Sequence, residues 1–406
     1  MVQIQQMSAN AGLSSAVQDR NTEIVSKSEN PTIRRLLRLA TAGLGTMFDE
    51  RSRLFCFKLK EATNGLIQEG QSARYSVITL LGLHRLEESG GRSPIVLMPV
   101  LEGLARKTEW VDNVGDLGLL VWLCAQVAPE QLHCIDDRLG LKNALQQYPD
   151  AQRGQTMELA WFLTGLCYWA AACPKEQAGL KRLAVEVYER LRNNQGKQGI
   201  FGHAARTGSL AGRTRGWIGS FADQVYPIYA MVQFAKVYGN REAEARALEC
   251  GRAICEAQGD KGQWWWHYDS STGHVIDGYP VFSVHQHAMA PMTLFALGDL
   301  AGEDFGPWIH GGLKWINGDN ELQFNMENAR GHLVWRCIHR SSTRLKRYLN
   351  AALSRGSGTA TESGEALRVL FECRPYELGW LLYAFAGRGA NESSSAAIDQ
   401  ATTEAQ

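Results

Sequence analysis

The chain has 406 residues, 45% of them hydrophobic, and its 42 Lys and Arg balance its 42 Asp and Glu. A net charge near zero excludes the basic excess that a nucleic-acid or anionic-membrane surface needs. No run of about 18 apolar residues occurs, so no membrane-spanning helix is predicted.

Residues 1–30 are polar and small, which predicts a disordered segment, and they lack the basic start and apolar run of a secretory leader. From residue 31 onward the apolar residues recur with helical period. "TIRRLLRLATAGL" carries charge along one face and predicts a helix with a solvent side. "LFCFKLKEATNGLIQEGQSA" alternates around an Asn-Gly turn and predicts a β-hairpin. "RYSVITLLGLHRL" is apolar nearly all round, which predicts a buried helix.

That alternation then repeats. The amphipathic segments "IVLMPVLEGLARK", the weaker "EQLHCIDDRLGLKNALQQ", "EQAGLKRLAVEVYERLRNN", "REAEARALECGRAICEAQ" and "FGPWIHGGLKWING" each precede an apolar one. The apolar partners are "DNVGDLGLLVWLCAQ", "TMELAWFLTGLCYWAA", "FADQVYPIYAMVQFAKVY", "HQHAMAPMTLFAL" and "RPYELGWLLYAFA". Six outer–inner alternations predict six αα-hairpins closed into a ring, an all-α (α/α)6 toroid with short β-hairpin insertions at one end.

The stretch "WWWHYDSSTGHVIDGYP" has the same form as the first hairpin, each with an acid-Gly pair before an inner helix. "GIFGHAARTG" looks like a degenerate third copy. In a hairpin strand Trp264, Trp266 and Tyr268 would share one face, and Trp265, His267 and Asp269 the other. The segment 354–366 reads as a flexible insertion and 388–406 as a disordered tail, leaving one toroid domain over 31–387. The nine cysteines are scattered without a CxxC pair, which suits a reduced, cytoplasmic setting and no structural metal.

Polar residues concentrate at the starts of the inner helices, where the hairpins also crowd. They are Arg74 and Tyr75; Asp112, Asn113 and Asp116; Glu158; Asp223, Gln224 and Tyr226; His285, Gln286 and His287; and Arg374, Tyr376 and Glu377. Asp112, Asn113 and Asp223 stand where N-caps belong. Charges are expensive to bury unpaired, so such a gathering marks a candidate cleft. Aromatic rings beside acids, amides and arginines suit a sugar, whose C–H faces stack while its hydroxyls take directed hydrogen bonds. Asp223 and Asp277 are the expected catalytic acids, with Asp116 and Glu69 as further candidates and His285 as a proton shuttle. Trp266 and His267 join the set expected to bind substrate, Trp266 as a stacking platform beside His285 and His287.

In its alternation the chain resembles the (α/α)6 toroid enzymes across roughly residues 31–387. One group there is carbohydrate-active: six-hairpin glycosidases, uronate-acting hydrolases and lyases, and N-acylglucosamine 2-epimerase-like proteins. That resemblance implies an enzyme acting on a sugar, uronate or oligosaccharide by acid/base chemistry, without a cofactor. A second group is the terpenoid cyclases and prenyltransferases, whose QxxxGxW repeat "QGDKGQW" (Gln258, Gly262, Trp264) and "QGKQGIF" (Gln195, Gly199, Phe201) resemble. That motif implies a structural tie between an outer helix and the following loop. No DxDD or DDxxD motif accompanies it, and "DNVGD" is only a partial echo, so the carbohydrate reading is favoured. A non-catalytic toroid that binds a glycan or protein is the third reading. Nothing in the sequence separates an interface helix from an ordinary outer one, so oligomeric state stays open.

Overall fold

The structure, a computed structural model, describes residues 30–63, 65–147, 155–205, 216–340 and 366–388. The segments expected to be loose, 1–30, 354–366 and 388–406, lie outside the described residues apart from one bordering position each. The described chain is built from pairs of helices, each outer one followed by an inner one. They are α1 (Pro31–Met47) and α2 (Ala73–Glu88), then α3 (Leu97–Arg106) and α4 (Val114–Val127). Next come α5 (Leu132–Leu139), a short α6 (Ala144–Gln147) and α7 (Thr156–Ala172). Then follow α8 (Gln177–Arg192) and α9 (Ala222–Tyr238), and α10 (Arg241–Glu256) and α11 (Ala290–Ala301). The last pair is α12 (Gly306–Ile316) and α13 (Pro375–Phe385).

The inner helices pack in sequence, α2 on α4, α4 on α7, α7 on α9, α9 on α11 and α11 on α13, and α13 returns to α2. That closure makes the fold an (α/α)6 toroid. Two contacts in the ring are drawn close by paired glycines. A Cβ on Gly165 of α7 would lie 2.4 Å from the Gly118 carbonyl oxygen of α4. One on Gly82 of α2 would lie 2.0 Å from the Gly379 carbonyl oxygen of α13. The axis is filled rather than open. Trp122 stacks on Tyr168 and Tyr229 at 5.4 and 5.3 Å. The hydroxyls of Tyr168, Tyr229 and Tyr383 bond one another at 2.7, 2.8 and 2.9 Å.

Short sheets cover the inner-helix starts. Strands β1 (Phe48–Asp49), β2 (Leu54–Ala62) and β3 (Gly65–Gln71) form the first hairpin region. Strands β4 (Ile218–Ser220), β5 (His267–Asp269) and β6 (Val275–Asp277) form a three-stranded sheet in that order. Strand β7 (Val281–Phe282) pairs with β10 (Cys337–Arg340), which pairs in turn with β11 (Leu367–Leu370). The remaining strands are β8 (Glu327–Asn328), β9 (Leu333–Val334) and β12 (Glu372–Cys373), the last on the edge of β2. The β8–β12 set has no counterpart in the sequence reading, because strands of two to four residues are too short to show alternation.

The glutamine motif does mechanical work in two adjacent hairpins. Gln195 Nε2 donates to the Gly199 and Arg246 carbonyls at 3.0 and 3.1 Å. Gln258 Nε2 donates to the Gly262 and Trp308 carbonyls at 3.1 and 3.0 Å. Each glutamine thus ties its loop to the next outer helix. Gly199 and Gly262 both turn at positive φ, 78° and 83°, which favours glycine there. A second glutamine closes each loop: Gln224 Oε1 accepts from Phe201 N–H at 2.8 Å, and Gln286 Oε1 from Trp264 N–H at 3.2 Å.

Candidate active site

The residue before each closing glutamine is Asp223 in one hairpin and His285 in the next, so the fold gives the two equivalent places. Their surroundings differ. Asp223 stands in the first turn of α9 and its side chain is 1% exposed. It is not the N-cap, which is Phe221. Its Oδ2 accepts from Ser220 N–H at 2.8 Å and Ser220 Oγ–H at 2.7 Å, and His203 Nδ1 lies 3.1 Å away. Its Oδ1 is buried and has no hydrogen-bond partner among the described residues. Ser220 Oγ in turn accepts from Asp223 N–H at 3.3 Å, a reciprocal cap of the α9 start.

Sheet register extends this cluster sideways. Ser220 of β4 is the partner of His267 on β5, and His267 is the partner of Asp277 on β6. Residues paired across neighbouring strands point to one face and stand about 5 Å apart. Ser220, His267 and Asp277 are neighbours in that register, which carries a bulge at His267/Tyr268, and Asp223 joins this row from α9 through its bonds to Ser220. Asp277 is half-buried, and its Oδ1 accepts from Tyr279 N–H at 3.2 Å.

The three tryptophans divide otherwise than an uninterrupted strand would divide them, because the strand begins only at His267. Trp264 is buried against Phe221, while Trp265 and Trp266 are half-buried. Trp266 lies parallel to His285, 7° between planes at 6.0 Å, with Phe282 at 4.7 Å and His267 at 5.0 Å. His285 begins a π-helical turn, His285–Met289, that leads into α11. It is packed below the mouth between Phe221 at 4.5 Å and Phe282 at 5.3 Å, not aimed into it. Burial pushes His285 and His287 down to about 3, so both imidazoles are neutral near pH 7. Gln286 is buried, its amide donating to the Phe282 carbonyl at 3.2 Å.

On the opposite side of the mouth, Arg74 grips Asp116 with two parallel bonds of 2.5 and 2.8 Å. Asp116 is fully buried and also accepts from Asp112 N–H at 3.2 Å and Asn113 Nδ2 at 3.1 Å. Its acceptor sites are used, so it orients Arg74; Asn113 is the α4 N-cap as expected and Asp112 is exposed outside it. Tyr75 stacks on Phe57 at 5.4 Å and meets Tyr376 at 4.6 Å. Arg374 donates to Tyr75 Oη at 2.8 Å and lies 4.6 Å over the Phe57 ring. Glu377 is buried, accepts from Arg374 N–H at 3.1 Å, and forms an ion pair with Arg336. Burial raises the Glu377 carboxyl above its usual range, with Arg336 opposing that shift. Arg336 also meets Glu372 at 3.1 Å and covers Phe282 at 4.9 Å, joining the two halves of the mouth.

Three further expected members lie elsewhere. Glu69 is on the charged face of the first hairpin, paired with Lys58 and Lys60. Glu158 is half-buried in the first turn of α7, its backbone pressed against Gly115 of α4. Tyr226 lies under the mouth, its Oη accepting from Trp380 Nε1–H at 2.9 Å. The sequence reading passed over His203, Ser220, Phe57, Arg336 and Glu372. Phe57 stood in the alternating run of the first hairpin and His203 was the one titratable residue in "GIFGH"; the other three left no trace.

No family model matches the chain, and no curated protein matches it either. Solved structures do. One is an unsaturated glucuronyl hydrolase specific for heparin, 12% identical, with a TM-score of 0.51 over 93% of this chain and 98% of that one. Another is an unsaturated glucuronyl hydrolase from a Bacillus species that degrades glycosaminoglycan, 14% identical, TM-score 0.54, covering 87% and 94%. A third is a possible member of the GH105 family from Klebsiella pneumoniae, 11% identical, TM-score 0.53, covering 89% and 93%. At these identities the likeness is one of fold. Among the described residues no helix is long and apolar enough to cross a membrane.

Proposed function

We propose that this chain is a carbohydrate-active hydrolase that cleaves a glycosidic bond in a short oligosaccharide held at the mouth of the toroid. The observation that carries the reading is the row Asp223–Ser220–His267–Asp277, with His203 bonded at its Asp223 end. Glycoside hydrolysis needs an acid for the leaving oxygen and a second carboxyl to activate water or attack the sugar. The Asp223–His203 pair supplies the first and Asp277 the second. Trp266 offers a ring for the sugar's C–H face. Arg74 and Arg374, each oriented by its own partners, suit the hydroxyls or a carboxylate of the substrate.

The solved structures of similar fold support hydrolysis over the other chemistries such toroids host. The glutamine motif shared with terpenoid cyclases gives that alternative no weight, because both copies are occupied in holding loops to outer helices. A thermal-shift panel of uronate-bearing oligosaccharides, neutral oligosaccharides and prenyl diphosphates tests the reading. An oligosaccharide at a hundred times its Kd should stabilise the protein by about 2.7 kcal/mol. Stabilisation by prenyl diphosphates alone overturns it.

A further inference from the structure

The geometry points to His203, with Asp223 as its orienting partner, as the group that transfers the proton at this site. The inference rests on the hydrolytic reading above and assigns the roles within it. Asp223 has the residue type of a catalytic acid but not the access. Its side chain is 1% exposed, its Oδ1 is enclosed, and its Oδ2 is turned toward Ser220. A glycosidic oxygen has no route to either atom. The His203 side chain is 43% exposed and stands in front of that carboxylate.

The contact fixes the state of the ring. Asp223 Oδ2 is an acceptor, so His203 Nδ1, at 3.1 Å, is the donor, and Nε2 is the nitrogen that takes up and gives the second proton. A buried carboxylate behind Nδ1 holds one tautomer and stabilises the imidazolium. Ser220 keeps that carboxylate from rotating, through one backbone and one hydroxyl bond to the same oxygen. The histidine's own backbone is pinned on both sides. His203 N–H donates to the Ile218 carbonyl at 2.8 Å, and the His203 carbonyl accepts from Thr156 N–H at 2.9 Å. Two elements, β4 and the start of α7, therefore place the imidazole, and a third, α9, supplies its carboxylate.

In the step itself, the Nε2 proton of the imidazolium passes to the glycosidic oxygen. The C–O bond breaks with its electron pair left on that oxygen. Water adds to the anomeric carbon and gives its proton to Asp277. Release of that proton to solvent and uptake of one by His203 restore the start.

The test compares His203→Gln, His203→Gly and Asp223→Asn in the full chain. His203→Gln should lower kcat on an oligosaccharide about a hundredfold or more, leaving KM and Tm near wild type. On an aryl glycoside whose leaving group needs no protonation, the loss should shrink to about tenfold or less. Imidazole in solution should restore part of the activity of His203→Gly. If His203→Gln keeps its kcat while Asp223→Asn is inactive, Asp223 transfers the proton itself and the inference is overturned. An equal loss on both substrates also overturns it, since His203 is then not the acid. If the wild-type chain hydrolyses no glycoside, the hydrolytic reading fails, and the pair is judged by proton NMR alone. A deshielded Nδ1–H resonance that vanishes in Asp223→Asn is expected; its absence from wild type removes the orienting contact.

Discussion

At His285 and His287 the fold keeps two imidazoles neutral by burying them, and burial pushes both down to about 3. In the unfolded chain each titrates near 6.5. Between about pH 6.5 and 3 the unfolded state therefore binds one more proton per histidine than the folded state. Stability falls as pH falls through that window, by about 1.4 kcal/mol per pH unit for each residue. Neither ring nitrogen of His287 has a well-directed partner among the described residues. His287→Leu should therefore leave the melting temperature at pH 7 unchanged or raised. It should also make the acid decline shallower, by about 2 kcal/mol at pH 5. Melting curves across pH check this, and an unchanged slope would show that His287 is satisfied in some other way. Sequence alone marked this pair as titratable residues at a helix start; it had no means of showing that a π turn holds both and that three aromatic rings surround His285.

At the scale of elements, the helices were the legible part. Each inner helix is apolar nearly all round because it touches neighbours on both sides of the ring, and each outer one keeps a wet face. That contrast is written in periodicity, so all six pairs stand where the pattern puts them. The glycines within the helices were not legible as contacts, although two of them decide how close α4 and α7 come. A Cβ on Gly118 would meet the Phe162 backbone at 2.4 Å, so Gly118→Ala must push the helices apart. We expect it to destabilise the fold by about 1–3 kcal/mol. Gly179, in α8, has nothing within 4 Å of its Cβ position and is exposed, so Gly179→Ala should stabilise by about 0.5–1 kcal/mol. Urea denaturation of both variants measures the contrast. Equal effects would mean that glycine spacing does not set the ring's packing.

For the whole molecule, the ring brings together residues far apart in sequence, and there the sequence becomes hard to read. Residue types at the inner-helix starts could be named, but their partners could not. Asp116 and Arg74, 42 positions apart, turn out to spend themselves on each other. Arg336, between two strands too short to recognise, does the same with Glu377 of α13. Asp223 and Asp277 fall on one row only because β4 adds to the hairpin's edge, a pairing that local alternation does not encode. We propose that this row hydrolyses a glycosidic bond. The measurement that tests it most directly is turnover of one oligosaccharide substrate by the wild-type chain, Asp223→Asn and Asp277→Asn side by side. Wild type should hydrolyse the substrate measurably, and both variants should lose about a hundredfold or more with melting temperatures retained. Hydrolysis at the wild-type rate in both variants would contradict it.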